Sequence, residues 1–130
     1  MLTVLQAFGK EEGFGGTEDG KPNRPTRNNN PLDLTYCSET IHFGASGGDP
    51  RFAVFPDIDT GWSAGRRWLS VPAKFDGSGD LVGGYLGATL KQVVFRFAPP
   101  NENNSQAYLD GVCASTGLTP DTVLTSELLT

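Results

Sequence analysis

Apolar residues recur at helical spacing in several stretches of this chain and cluster into short runs in others. In residues 2–12, LTVLQAFGKEE, Leu2, Leu5 and Phe8 fall near one face, and Gly13 is a natural left-handed stop. That spacing predicts a first helix. Residues 13–33 hold glycines, prolines and asparagines in a density that forbids a long regular element. A loop of that length in a small domain is usually functional. Residues 40–43, TIHF, and 51–56, RFAVFP, read as two short strands of a hairpin, with GASGGD as the turn. A helix is predicted over 59–71, capped by Asp59 or Thr60, with Trp62, Trp68 and Leu69 inside and Arg66 and Arg67 outside. Residues 75–84, FDGSGDLVGG, read as a loop.

The C-terminal third is predicted to be helical. Leu90, Val93, Val94 and Phe97 follow i, i+3, i+4, i+7 from Thr89, and Pro99 and Pro100 stop that helix. Tyr108, Leu109, Val112 and Cys113 share a face of a helix over 105–115 that ends at Gly117. Thr119-Pro120 is a cap followed by proline in the first turn, which predicts a last helix to about Leu129. The sum is a single α+β domain over 1–130, mostly helical, with a small β-hairpin.

Composition narrows the function. Seventeen glycines and nine prolines in 130 residues fit short elements and long loops. A net charge of −5 repels phosphate backbones, so nucleic acid is not an expected partner. No apolar run approaches the roughly 18 residues needed to cross a bilayer, so membrane insertion is not expected. The first ten residues lack the basic region and cleavage site of a signal peptide. The expectation is a mature chain, or one that leaves the cell by another route. Cys37 and Cys113 read either as a disulfide closing a loop of about 77 residues, worth about 4 kcal/mol, or as two buried thiols. One histidine, His42, cannot complete a zinc site with them. No metal or cofactor is implied, and no phosphate-binding glycine loop or nucleophile elbow is present.

Carboxylates and asparagines are the chemistry left. Glu11 and Glu12 end the first helix, where the last carbonyls are negative and a carboxylate is badly placed. Such placement with partial burial raises a carboxyl pKa, as a general acid at neutral pH requires. The bland alternative is a pair of solvated helix-end charges. Arg27-Asn28-Asn29-Asn30-Pro31 offers amide donors and acceptors that match sugar hydroxyls and acetamides, or else an Asx-turn network. Pro99-Pro100-Asn101-Glu102-Asn103-Asn104, leading to Tyr108, is a third cluster, alternatively a helix cap from Asn103 or Asn104.

Taken in order, these pieces resemble the small lysozyme-fold muramidases of bacteria and phages. The resemblance rests on Glu12-Gly13-Phe14, Arg27 to Asp33, Arg51 to Asp57 and Arg96 to Asn104 with Tyr108, and spans about residues 5 to 118. The Glu-Gly-x motif is also similar to that of goose-type lysozymes and soluble lytic transglycosylases. The resemblance implies a lysozyme-like fold and a monomer acting on peptidoglycan glycan strands at the cell wall or outside the cell. Glu12 would be the catalytic acid, with Glu11 a lesser candidate. Arg27, Asn28, Asn29, Asn30 and Asp33 would bind substrate, with Phe55, Glu102 and Tyr108 on a facing wall. Leu32 departs from the family's usual glycine, a position that often needs φ > 0, so the turn there and the glycan contacts around Asp33 are expected to differ.

The implied reaction is cleavage of the β-1,4 bond between N-acetylmuramic acid and N-acetylglucosamine. Asp33, Asp57 or Glu102 would be the second carboxylate of a hydrolase. Without one, the same acid gives a lytic transglycosylase and 1,6-anhydro ends. Two further classes compete: a non-catalytic glycan-binding or virion structural module, and a peptidase using Cys37 or Cys113 with His42. Arg24, Arg27, Arg51, Arg66 and Arg67 are expected to form a local positive cleft in an otherwise acidic protein.

Overall fold

A computed structural model describes the whole chain, Met1–Thr130, as an α+β fold of six α-helices and three small antiparallel strand pairs. The chain divides into two compact units: Phe8–Trp68, and Met1–Ala7 with Leu69–Thr130. The division falls inside the first helix, α1 (Val4–Glu11). Thr3 and Gln6 start α1 with a reciprocal capping box: the Thr3 amide donates to Gln6 Oε1 (3.0 Å) and the Gln6 amide to Thr3 Oγ1 (3.2 Å).

In the Phe8–Trp68 unit the long loop holds more structure than its composition suggests. Strands β1 (Thr17–Glu18) and β2 (Lys21–Pro22) form a hairpin. Its two turn residues, Asp19 (φ 53°) and Gly20 (φ 77°), are both left-handed, the geometry that matches strand twist. A single helical turn, α2 (Arg24–Arg27), follows; Asn23 caps it, and Pro25 sits in the first turn where no backbone donor is needed. Residues 40–43 are not a strand. They belong to α3 (Ser38–His42), opened by a hydrogen bond from the Cys37 amide to Thr40 Oγ1 at 2.9 Å. Thr40 is the buried residue there, while Ile41 and His42 are exposed, so the apparent alternation pointed the wrong side inward.

The hairpin expected in this region exists with a different first strand. Strand β3 (Gly47–Gly48) pairs with β4 (Ala53–Val54), so the expected turn supplies a strand. Residues 34–36 pair with the other edge of this segment, through a Thr35–Phe52 bridge and bonds from the Tyr36 amide to the Arg51 carbonyl and the Ala53 amide to the Leu34 carbonyl. Helix α4 (Ile58–Leu69) is capped by Asp57, whose Oδ1 accepts from the Thr60 amide (2.8 Å) and hydroxyl (2.7 Å), rather than by Asp59 or Thr60. Its inner face carries Gly61, Ala64 and Gly65, and Arg66 and Arg67 stay outside. Phe8, Leu32, Leu34, Ala53, Phe55 and Ala64 are buried in this unit.

In the other unit, β5 (Lys74–Phe75) and β6 (Leu81–Gly83) make a hairpin where a loop was expected. Asp76 organises its turn by accepting from the Ser78 (2.8 Å) and Asp80 (3.0 Å) amides. Helix α5 (Leu90–Phe97) starts at a Thr89–Gln92 capping box and packs on α6 (Ser105–Thr116), which Asn104 caps and left-handed Gly117 ends. The helix expected up to Leu129 is absent. Residues 119–126 run back along 87–91, with the Leu124 amide donating to the Ala88 carbonyl, the Leu124 carbonyl accepting from the Gly87 amide and Thr89 bridging Val123, and only Glu127–Leu129 closes a 3-10 turn. Burying Leu124 against that strand-like pairing outweighs the Thr-Pro start signal. Cys37 and Cys113 are both free thiols, so the disulfide reading is overturned. No helix is long and apolar enough to cross a membrane.

Candidate functional site

Glu12 closes the last turn of α1. The Gly13 amide donates to the Lys10 carbonyl (3.0 Å) and the Phe14 amide to the Gly9 carbonyl (2.8 Å), with Gly13 at φ 85°. These two bonds are the Schellman ending of a helix, and Glu12 is its C-cap. The expected stop at Gly13 therefore also fixes the backbone that follows Glu12. Phe14 then packs edge-on against Trp62, 5.5 Å between ring centroids. The Trp62 ring occupies the space beside Gly9, where a Cβ would stand 2.9 Å from it. Glu12 is half-buried, and so is its neighbour Glu11. Burial pushes the Glu11 carboxyl up, against a smaller opposing pull from Lys10.

The turn after Glu12 is fastened to the start of α2. Asn23 Nδ2 donates to the Gly13 carbonyl at 2.7 Å, and the Asn23 amide donates to the Gly16 carbonyl at 3.1 Å. Asn23 Oδ1 accepts from the Thr26 amide, and Thr26 Oγ1 accepts from the Gly15 amide at 2.8 Å. Sequence reading passed over Asn23 and Thr26; the signal available was an Asn immediately before Arg-Pro, the signature of a helix cap.

Beside this turn stands a fixed cation. Arg24 grips Asp33 with two nitrogens, Nε at 3.0 Å and Nη2 at 2.6 Å, and lies 3.6 Å from the centroid of Phe52. Hydrogen bonds to Asp33 hold the guanidinium above its ordinary pKa, against partial burial, with smaller contributions from the charges of Asp33, Glu12 and Asp49. Arg24 and Glu12 thus feel each other's field. Arg27 is exposed and bonds Asp49 Oδ2 through Nε at 2.9 Å. That bond, more than any other contact, holds the Asp49 carboxyl below its usual range, and the charge of Arg24 adds to it. The Asn28 amide nitrogen is itself buried without a hydrogen-bond partner.

The asparagine run divides by burial. Asn29 is half-buried, left-handed at φ 50°, and donates to the Phe55 carbonyl at 3.2 Å. Asn30 is fully buried and structural: it donates to the Leu34 (3.0 Å) and Ala53 (2.9 Å) carbonyls and accepts from the Leu34 amide (2.9 Å). It has no donor left for a ligand, which corrects its assignment to substrate. Phe55, 1% exposed, is likewise a core residue and not a wall of any cleft. Asp33 keeps a side chain only 7% exposed, committed to Arg24. Asp57, the helix cap, is exposed.

Glu102 and Tyr108 belong to the other unit. Glu102 is exposed in the turn after α5, and Tyr108 is buried on α6. Asn104, not Asn103, caps α6. His42 is exposed on α3 with its ring 6.1 Å from that of Phe43. No three His, Cys, Asp or Glu side chains converge as a metal-ligand set. The chain matches no protein-family model and no curated protein.

Proposed function

We propose that the chain is a peptidoglycan-cleaving muramidase on a lysozyme-like fold, with Glu12 as general acid. The observation that supports it is the placing of Glu12 at the C-cap of α1, on a turn clamped by its own backbone and by Asn23. A carboxyl acting on a glycosidic oxygen must be aimed within about 1 Å, which a closed turn provides and a frayed helix end does not. Glu12 donates its proton to the oxygen of the β-1,4 bond while positive charge builds on the sugar ring. Arg24, Arg27 and Asn29 offer exposed or half-exposed donors on the same unit for glycan hydroxyls and carboxylates.

A second reading, the lytic transglycosylase, is favoured by one observation. The second-carboxylate candidates on this unit are occupied: Asp33 by Arg24 and Asp57 by the start of α4. Glu12 would then act first as acid and next as base on the sugar's own 6-hydroxyl.

The test is turbidity loss of a peptidoglycan suspension with wild type and Glu12→Gln, followed by mass spectrometry of the fragments. The expected result is lysis by wild type and a loss of about 100-fold or more in the variant. Reducing ends mean hydrolysis and 1,6-anhydro ends transglycosylation. Binding of the glycan by both proteins, with lysis by neither, would instead leave a glycan-binding module.

A further inference from the structure

We infer that Asn23 is a positioning residue for Glu12, holding the peptide that follows the acid; the inference rests on the reading of Glu12 as that acid. A helix C-terminus leaves its last carbonyls without intrahelical donors, and its final residue is the one most free to fray. Here the two bonds of the Schellman turn fix Gly13 and Phe14 to the helix, and the Gly13 carbonyl accepts from the Gly16 amide at 3.0 Å within the same turn. Asn23 adds a second, shorter bond to that carbonyl at 2.7 Å and so ties the turn to the start of α2. The same residue takes the Gly16 carbonyl on its backbone amide and caps α2 through its other amide atom.

The fit is tight on both sides of the turn. A Cβ on Gly16 would stand 2.9 Å from Asn23 Nδ2, and one on Gly13 3.2 Å from it. Thr26 completes the clamp from the next turn of chain by accepting the Gly15 amide. Segment 13–16 is therefore held by side chains from 23 and 26 that make no other long-range bond. Arg24, whose guanidinium senses the Glu12 charge, lies between them in sequence, so one short segment fixes both the turn and the nearby cation. Asn23 acts on the reaction through the backbone of Glu12-Gly13 and does not itself touch the sugar.

The decisive variant is Asn23→Ser. Serine caps a helix as well as asparagine does but is too short to reach the Gly13 carbonyl, so it separates capping from positioning. With an active wild type and an inactive Glu12→Gln, Asn23→Ser is expected to fold, to keep KM within twofold, and to lose about tenfold to a hundredfold in kcat. A folded Asn23→Ser with kcat within twofold of wild type overturns the inference while leaving the muramidase reading intact. So does a rise in KM at unchanged kcat, which would make Asn23 a substrate contact. If Asn23→Ser does not fold, Thr26→Val decides: loss of the Gly15 acceptor is expected to lower kcat in the same way, and unchanged kcat overturns the clamp. A wild type without lytic activity overturns both readings together.

Discussion

Leu32 fills the space that Gly65 leaves: a Cβ on Gly65 would stand 3.1 Å from both terminal methyls of Leu32. Leu32 is 1% exposed, and it does not take the left-handed backbone that a glycine there would suggest. That conformation falls on Asn29 and Asp33 instead, both of which tolerate it better than leucine. One turn away on α4, Gly61 meets the backbone carbonyl of Asn29, with no room at all for a Cβ. The two glycines predict different outcomes. Gly61→Ala forces backbone apart and should cost about 2–3 kcal/mol. Gly65→Ala gains about 1 kcal/mol of helix propensity and asks only a leucine side chain to shift, so it should stay within about 1 kcal/mol of wild type. Urea denaturation of both decides; equal stabilities would show that the Asn29 approach is not rigid.

Asn30→Ala should be among the most damaging single changes in the Phe8–Trp68 unit. It would leave the buried Leu34 amide without its acceptor and take one donor each from the Leu34 and Ala53 carbonyls, the Leu34 carbonyl keeping the Ala53 amide. Leaving such groups unsatisfied costs about 1–3 kcal/mol each before relaxation. The expected loss is about 3 kcal/mol in thermal or urea unfolding. An Asn30→Ala protein that keeps its stability but loses glycan affinity would restore Asn30 to the binding surface.

Two carboxyls should give stability opposite pH dependences. Asp57 is held below its usual range by the Thr60 amide and then the Thr60 hydroxyl. Its contribution is full above the unfolded value near pH 4 and is lost as pH falls through the lower folded value. Asp57→Asn keeps a good cap without the charge, so its melting temperature should fall less steeply than that of wild type below about pH 4. Glu11 is raised by burial, so its ionised form disfavours the fold. That penalty appears as pH rises through the unfolded value and is complete above the folded one. Glu11→Gln should therefore melt higher than wild type near neutral pH and no higher in acid. Parallel melting profiles for wild type and both variants would refute the assignments.

Helices α1, α5 and α6 were legible because local signals bound them: Gly13 ends α1, Thr89 and the Pro99-Pro100 stop flank α5, and Asn104 and Gly117 flank α6. The failures share a cause. TIHF alternates like a strand, but the Thr40 hydroxyl binds the Cys37 amide and the Thr35 carbonyl and makes a helix turn cheaper. Residues 119–126 lost a helix to pairing with 87–91, a partner that no local window contains. The Asp19-Gly20 hairpin was readable as a left-handed pair and lay hidden in a stretch dominated by loop residues. The place of Glu12 at the end of α1 was legible from its position before a helix-ending glycine. The inward roles of Asn30 and Phe55 were not, since an asparagine looks the same in sequence whether its partners are sugar hydroxyls or strand carbonyls.

Free thiols make redox insensitivity a prediction. Cys37 and Cys113 are unbonded and each is half-buried. Burial, with help from the charge of Asp110, pushes the Cys113 thiol up, which keeps it in the less reactive protonated form. Adding reductant should leave the melting temperature unchanged, and a thiol reagent should find two cysteines in the unfolded chain without prior reduction. A drop of several degrees on reduction would mean that a bond forms in solution.

Salt dependence separates a steering cleft from a neutralised one. Of the arginines expected to draw in an anionic wall polymer, Arg24 is bonded to Asp33 and Arg27 to Asp49. Arg67 lies 4.4 Å from the Phe43 ring centroid and Arg51 5.1 Å from that of Phe52, each against an aromatic ring, on a chain of net charge −5. Local attraction is thereby reduced while overall repulsion remains. Screening from about 0.01 M to about 0.15 M ionic strength should then leave the lytic rate flat or raise it. Asp49→Asn, which frees Arg27, should turn that profile toward inhibition by salt. A wild-type rate that falls tenfold over the same range would mean that the exposed arginines steer the polymer despite their partners.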